Sequence, residues 1–149
     1  MHYCYLILII IFIACENNTH ENYHSFYEKG WHTDSAITFN YIVSDTNKTY
    51  NFSLKIRHTV DYEFRNLFVF LEDKNKDTVE INLATKSGKW LGKGVSNIRE
   101  VEHFIAKRRR FANEGTYTVK IEQAMRYGEK ERIEVLQQIL DIGLIVSEQ

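Results

Sequence analysis

Gly115-Thr116-Tyr117-Thr118-Val119-Lys120-Ile121 is the plainest strand in the chain. A turn-forming glycine leads into β-branched and aromatic residues, which pack well on a pleated sheet. The same period of two recurs upstream. Ile37, Phe39, Tyr41 and Val43 alternate with Thr38, Asn40 and Ser44, with Ile42 breaking the pattern. Phe52, Leu54 and Ile56 alternate with Ser53, Lys55 and Arg57. Strand side chains point to opposite faces in turn, so each run has one buried and one wet face. Asn66-Leu67-Phe68-Val69-Phe70-Leu71 is apolar on both faces, as a central strand would be. Val79, Ile81 and Leu83 alternate with Thr78, Glu80 and Asn82 beyond the charged turn Asp73–Asp77, which predicts a hairpin. Ser44 to Lys48 is a second turn cluster, and Ile139 to Val146 reads as a closing strand.

Three segments are less plain. Ser87 to Gly94 carries Gly88, Gly92 and Gly94 and reads as a loop or a bulged edge. Val101 to Phe111 fits either a helix or a strand. Arg132 to Leu140 has a helix-like composition that would allow a short helix. The sum is about eight short strands, about 10–15 residues apart, with at most one or two short helices. This predicts an all-β chain: a single antiparallel β-sandwich over residues 30–149.

Composition agrees. A length of 149 residues is one domain. Hydrophobic residues at 44% and charged residues at 26% exclude wholesale disorder. The net charge of −1 gives no global field to attract nucleic acid or an anionic membrane surface, and no nucleic-acid partner is expected. The absence of Pro excludes collagen-like and polyproline readings.

The first 14 residues read as a signal peptide. Tyr5 to Ala14 (YLILIIIFIA) is uncharged but too short to span a bilayer, which needs about 20 helical residues. The run ends Phe12-Ile13-Ala14-Cys15, which resembles a bacterial lipobox. In that reading Cys15 becomes the acylated N-terminus, and its fatty acyl chains hold the protein on a membrane. Cys4 and Cys15 are the only cysteines, so the mature chain has no thiol for a zinc site, a redox pair or a Cys nucleophile. Residues 15–29 then form a polar tether without periodicity, ordering near Phe26 and Tyr27.

Candidate chemistry is sparse. His32 and Asp34 beside Trp31 could be a base and its orienter, but no nucleophile motif accompanies them, and capping a loop explains them better. His24 and His32 with nearby carboxylates make a poor metal site, and no metal is expected. Lys107-Arg108-Arg109-Arg110 could bind phosphate, lipid A or an acidic partner surface, or could be a solvated strand edge whose charge blocks edge-to-edge aggregation; in strand geometry only two of the four would share a face. Trp31 and Trp90, with Tyr27, Tyr62 and Tyr127, could build a sugar-stacking platform or simply pack. A surface carbohydrate-binding module is therefore the alternative reading. Asp34-Ser35-Ala36 and Asp77-Thr78-Val79 match a short O-glycosylation pattern that arises easily by chance.

Several stretches fall into one order. They are Gly30-Trp31-His32 with Asp34-Ser35, Asn66-Leu67-Phe68, Gly88-Lys89-Trp90-Leu91-Gly92, Gly115-Thr116-Tyr117-Thr118 running into Gln123-Ala124-Met125-Arg126, and Asp141-Ile142-Gly143-Leu144. Behind the lipobox this set resembles the GldH family of gliding-motility lipoproteins of Bacteroidota, over about residues 15–146. The chain has Ala112-Asn113-Glu114 where the resemblance leads one to expect a Pro. The resemblance implies a non-enzymatic lipoprotein of the cell envelope, at the outer membrane, with no cofactor. It implies a role in gliding and in the associated type IX secretion machinery, by anchoring or stabilising a membrane-bound protein complex. Lys89 and Trp90 on the glycine-rich loop, Arg126 and Trp31 are the candidate partner-facing residues.

Overall fold

The computed structural model describes residues 18–129 and 131–149. The signal segment 1–14 and the lipidation candidate Cys15 lie outside the described residues. In chain order the strands are β1 (Thr19–Ser25), β2 (Trp31–His32), β3 (Ile37–Val43), β4 (Tyr50–Thr59), β5 (Asn66–Glu72) and β6 (Lys76–Asn82). There follow β7 (Ile98–Arg109), β8 (Gly115–Gln123), β9 (Arg126–Tyr127), β10 (Glu131–Arg132), β11 (Val135–Leu136) and β12 (Ile139–Glu148). The one helical element among the described residues is a single 3₁₀ turn, Tyr27–Lys29.

Eight of these strands make two four-stranded sheets, ordered β1-β12-β4-β7 and β3-β8-β5-β6. Every pairing within them is antiparallel. The alternation read from the sequence sets which residues face inward. On β4 and β12, Ile56, Leu54 and Phe52 stand opposite Ile142, Leu144 and Val146. Phe39, Tyr41, Leu67, Val69, Ile81, Val119 and Ile121 of the other sheet join them in one continuous core. Each such side chain, fully buried, contributes about 1.5–3 kcal/mol. The chain is thus the all-β antiparallel sandwich that its periodicity predicts.

Three segments left less plain by the sequence are settled by the pairing. The ambiguous 101–111 segment is strand: β7 pairs with β4 and turns Val101 inward. The short helix that composition would allow at 132–140 does not form. Val135 and Leu136 pair instead with His32 and Trp31, and tertiary pairing overrides local helix propensity. The tether expected at 15–29 is, from Thr19, the edge strand β1, paired with β12 from Thr19↔Ser147 to Ser25↔Asp141. Its side chains are almost all exposed, so it carries no alternation that a sequence reading could detect. What holds it is the β12 edge itself, which would otherwise be an open row of backbone donors and acceptors.

The registers define two ends of the sandwich. At one, called here the β1 end, Thr19, Ser147, Glu148, Tyr50 and Arg109 lie together. Val43 and Gly115 of the other sheet sit at this end too, since Asp45 N donates to the Tyr50 hydroxyl at 3.1 Å. At the opposite β2 end lie the small pairings β2–β11 and β9–β10 and the loop 83–97.

Candidate functional site

Most of the residues singled out in the sequence gather at the β2 end. Trp31 opens it, but as part of the core. It is fully buried, stacks on Phe26 with ring centroids 4.9 Å apart, and donates from Nε1 to the Ser35 carbonyl at 2.9 Å. Trp31 is therefore not partner-facing, and this expectation is corrected.

Arg126 is exposed and lines a cavity of about 240 Å³ together with Thr33, Asp34, Phe70, Gln123 and Arg132. Gln123 builds that cavity wall. Its Nε2 donates to the Ile133 carbonyl at 2.6 Å, and its Oε1 accepts from Met125 N at 3.0 Å. The amide thus ties the β9–β10 hairpin to the end of β8. The sequence reading missed Gln123, although the signal was there: Val119, Ile121 and Gln123 share one parity, and a polar group continuing an apolar face needs partners.

Asp34 does not orient His32. The His32 Nδ1 accepts the Asp34 backbone N–H at 3.2 Å, so that nitrogen is engaged by the loop; the carboxylate stands 4.0 Å away, with both side chains well exposed. This is a loop cap. Among the described residues, no group of three His, Cys, Asp or Glu could hold a metal.

Lys89 is exposed on the glycine-rich loop, and Trp90 is half-buried with its ring 4.8 Å from that of His58. The loop is laid against the start of β7 by the Lys93–Glu100 bridge. Gly92, at φ +76°, makes this possible, because a Cβ there would overlap the Glu100 carbonyl oxygen. His58 was likewise unforeseen, though it continues the inward parity of Leu54 and Ile56. It is fully buried, its Nδ1 meets the Thr59 carbonyl at 2.8 Å, and burial pushes its pKa down. The aromatic platform does not assemble. Trp31 and Tyr62 are buried and Trp90 half-buried, while Tyr27 and Tyr127 are exposed on separate turns.

The basic run lies at the β1 end and is split. Arg109 turns inward, forms an ion pair with Asp73, and lies over the Phe111 ring at 4.7 Å and that of Phe52 at 5.7 Å. Lys107 lies over exposed Phe104 at 4.4 Å. Arg108 adopts a left-handed φ of 55°, and its N–H donates to Asn51 Oδ1 at 2.8 Å. A register shift between β4 and β7 at this point breaks simple alternation, so Lys107, Arg108 and Arg110 are all exposed. The expectation of two cations per face is corrected accordingly. Tyr41, beneath Arg109, has its hydroxyl pKa pushed up to about 12, chiefly by burial and then by the Asp73 charge.

Fold and surface together define the class: a two-sheet antiparallel sandwich domain that presents polar loop clusters at both ends. The GldH lipoprotein family model matches residues 18–146, and the chain belongs to that family. It is 31% identical to a gliding motility lipoprotein GldH homolog of Christiangramia forsetii, over 97% of this chain and 93% of that protein. It is 29% identical to the gliding motility lipoprotein GldH of Flavobacterium johnsoniae, over 96% of this chain and 93% of that one. Likeness to solved structures is slight. The infectious bursal disease virus VP2 subviral particle aligns at 11% identity with a TM-score of 0.26, too low to indicate a shared fold.

Proposed function

We propose that this chain is a lipid-anchored envelope protein that supports gliding motility and the associated type IX secretion machinery. It does so by anchoring or stabilising a membrane-bound protein complex. The observation that carries this is the family match across the whole sandwich, with relatives named as gliding motility lipoproteins along almost their full length. The lipobox-like Phe12-Ile13-Ala14-Cys15 supports the anchor, and the outer membrane is the proposed site of attachment. Anchoring raises the local concentration of the domain at a membrane complex, so a modest interface suffices. Exposed Lys89 and Arg126 and half-buried Trp90 are the residues offered to a partner. No reaction is assigned to the chain, and the use of His32 as a loop cap supports that reading.

The test is crosslinking in living cells followed by mass spectrometry of the adducts. The proposal expects gliding or secretion components among them, with adducts lost from a Lys89→Glu, Arg126→Glu variant. Adducts confined to unrelated envelope proteins would overturn it.

A further inference from the structure

We propose that the β1 end of the sandwich rests directly on an anionic phospholipid surface, held there by Lys74, Lys107, Arg108 and Arg110. This rests on the reading of Cys15 as the lipid-bearing residue. Two independent features meet at that end.

The first is reach. Thr19 opens β1 and is paired with Ser147, so the chain enters the fold at the β1 end. Cys15 precedes Thr19 by four residues. Four residues, even fully extended, span at most about 14 Å. A polar tether of fifteen residues would have let the domain stand off and tumble. The pairing of β1 removes most of that length, so an acyl group on Cys15 draws this particular end to the headgroups.

The second is charge. Lys48 is paired with Glu148 at 2.6 Å and Arg109 with Asp73, so these four groups cancel. Lys74, Lys107, Arg108 and Arg110 are exposed and form no salt bridge among the described residues. The other acids at this end are Asp45, whose carboxylate accepts from Asn47 N at 2.8 Å, Glu114, and Glu72 and Asp77 on the hairpin that bears Lys74. The positive charge of this end is concentrated at the end of β7, where Lys107, Arg108 and Arg110 stand within four residues and the neighbouring Asp73 is already taken up by Arg109. Basic side chains within a Debye length of anionic headgroups are attracted to them. The lipid supplies attachment; the basic residues fix orientation. The β2 end, with Lys89 and Arg126, then faces away from the bilayer.

The test uses the full acylated protein, purified from native membranes and reconstituted in phosphatidylcholine vesicles with or without phosphatidylglycerol. A fluorophore is placed on Asn75→Cys at the β1 end or on Ser87→Cys at the β2 end, and a headgroup-attached quencher is added. With phosphatidylglycerol, quenching at position 75 should exceed that at 87 by about threefold or more. The difference should shrink when phosphatidylglycerol is omitted, and equally in a Lys107→Glu, Arg108→Glu, Arg110→Glu variant, which keeps the Arg109–Asp73 pair. Equal quenching at the two positions, or stronger quenching at 87, overturns the orientation. A difference indifferent to phosphatidylglycerol overturns the anionic surface without any substitution. A mature product whose intact mass carries no acyl chains overturns the anchor instead, so the two failures are distinguishable.

Discussion

Arg109 and Lys107 belong to one run of cations, yet they meet different surroundings. Arg109 partners Asp73 and lies over two aromatic rings, and removing it leaves the part-buried Asp73 carboxylate without its partner. Arg109→Ala should lower unfolding stability by about 2–3 kcal/mol in urea titration, whereas Lys107→Ala should stay within about 0.5 kcal/mol. Trp31→Ala removes a fully buried indole from its stack on Phe26 and should cost about 3–5 kcal/mol by the same measurement. The run itself is visible in the sequence. Which cation turns inward is not, because the register shift and the left-handed Arg108 decide it, and neither leaves a compositional trace. His58 and Gln123 are the converse: each continues the inward parity of its strand, and that parity alone marks it as a buried polar group.

The eight principal strands differ in how they announce themselves. β3, β4, β6 and β8 carry the period-two alternation in their sequence, whereas β5, apolar on both faces, buries Leu67, Val69 and Leu71 and leaves Phe68 and Phe70 half-buried. β7 is ambiguous because only Val101 of its twelve residues is buried. β1 is invisible, since an edge strand exposed on both faces has no reason to alternate. Its docking depends on β12. Gly143 stands opposite Tyr23, and a Cβ at Gly143 would lie 2.5 Å from the Tyr23 Cε1. Gly143→Ala should therefore loosen β1, raising amide exchange over Thr19–Ser25 while β4 keeps its protection. At the glycine-rich loop, Gly92→Ala meets both the left-handed backbone and the Glu100 carbonyl, and should lower the thermal midpoint by about 5 °C or more.

The whole molecule carries a pH dependence. Burial lowers the pKa of His58 and of His103, with the Arg99 charge adding to the effect at His58. The folded state thus holds fewer protons than the unfolded chain just below pH of about 6.5. Stability should be level above that pH and fall as pH drops from about 6.5 toward the lowered folded values. His58→Phe should flatten part of this fall in thermal scans, leaving the part that His103 contributes. β12 has a further consequence at this scale. It lies between β1 and β4, yet it is the last of the described strands to be synthesised. A ribosome or translocase emitting this polypeptide from its amino end delivers two open sheet borders long before the piece that zips them. Any holding factor that escorts the nascent product must therefore stay bound until position 139 has crossed, and a premature stop there yields an aggregating fragment rather than a smaller working protein.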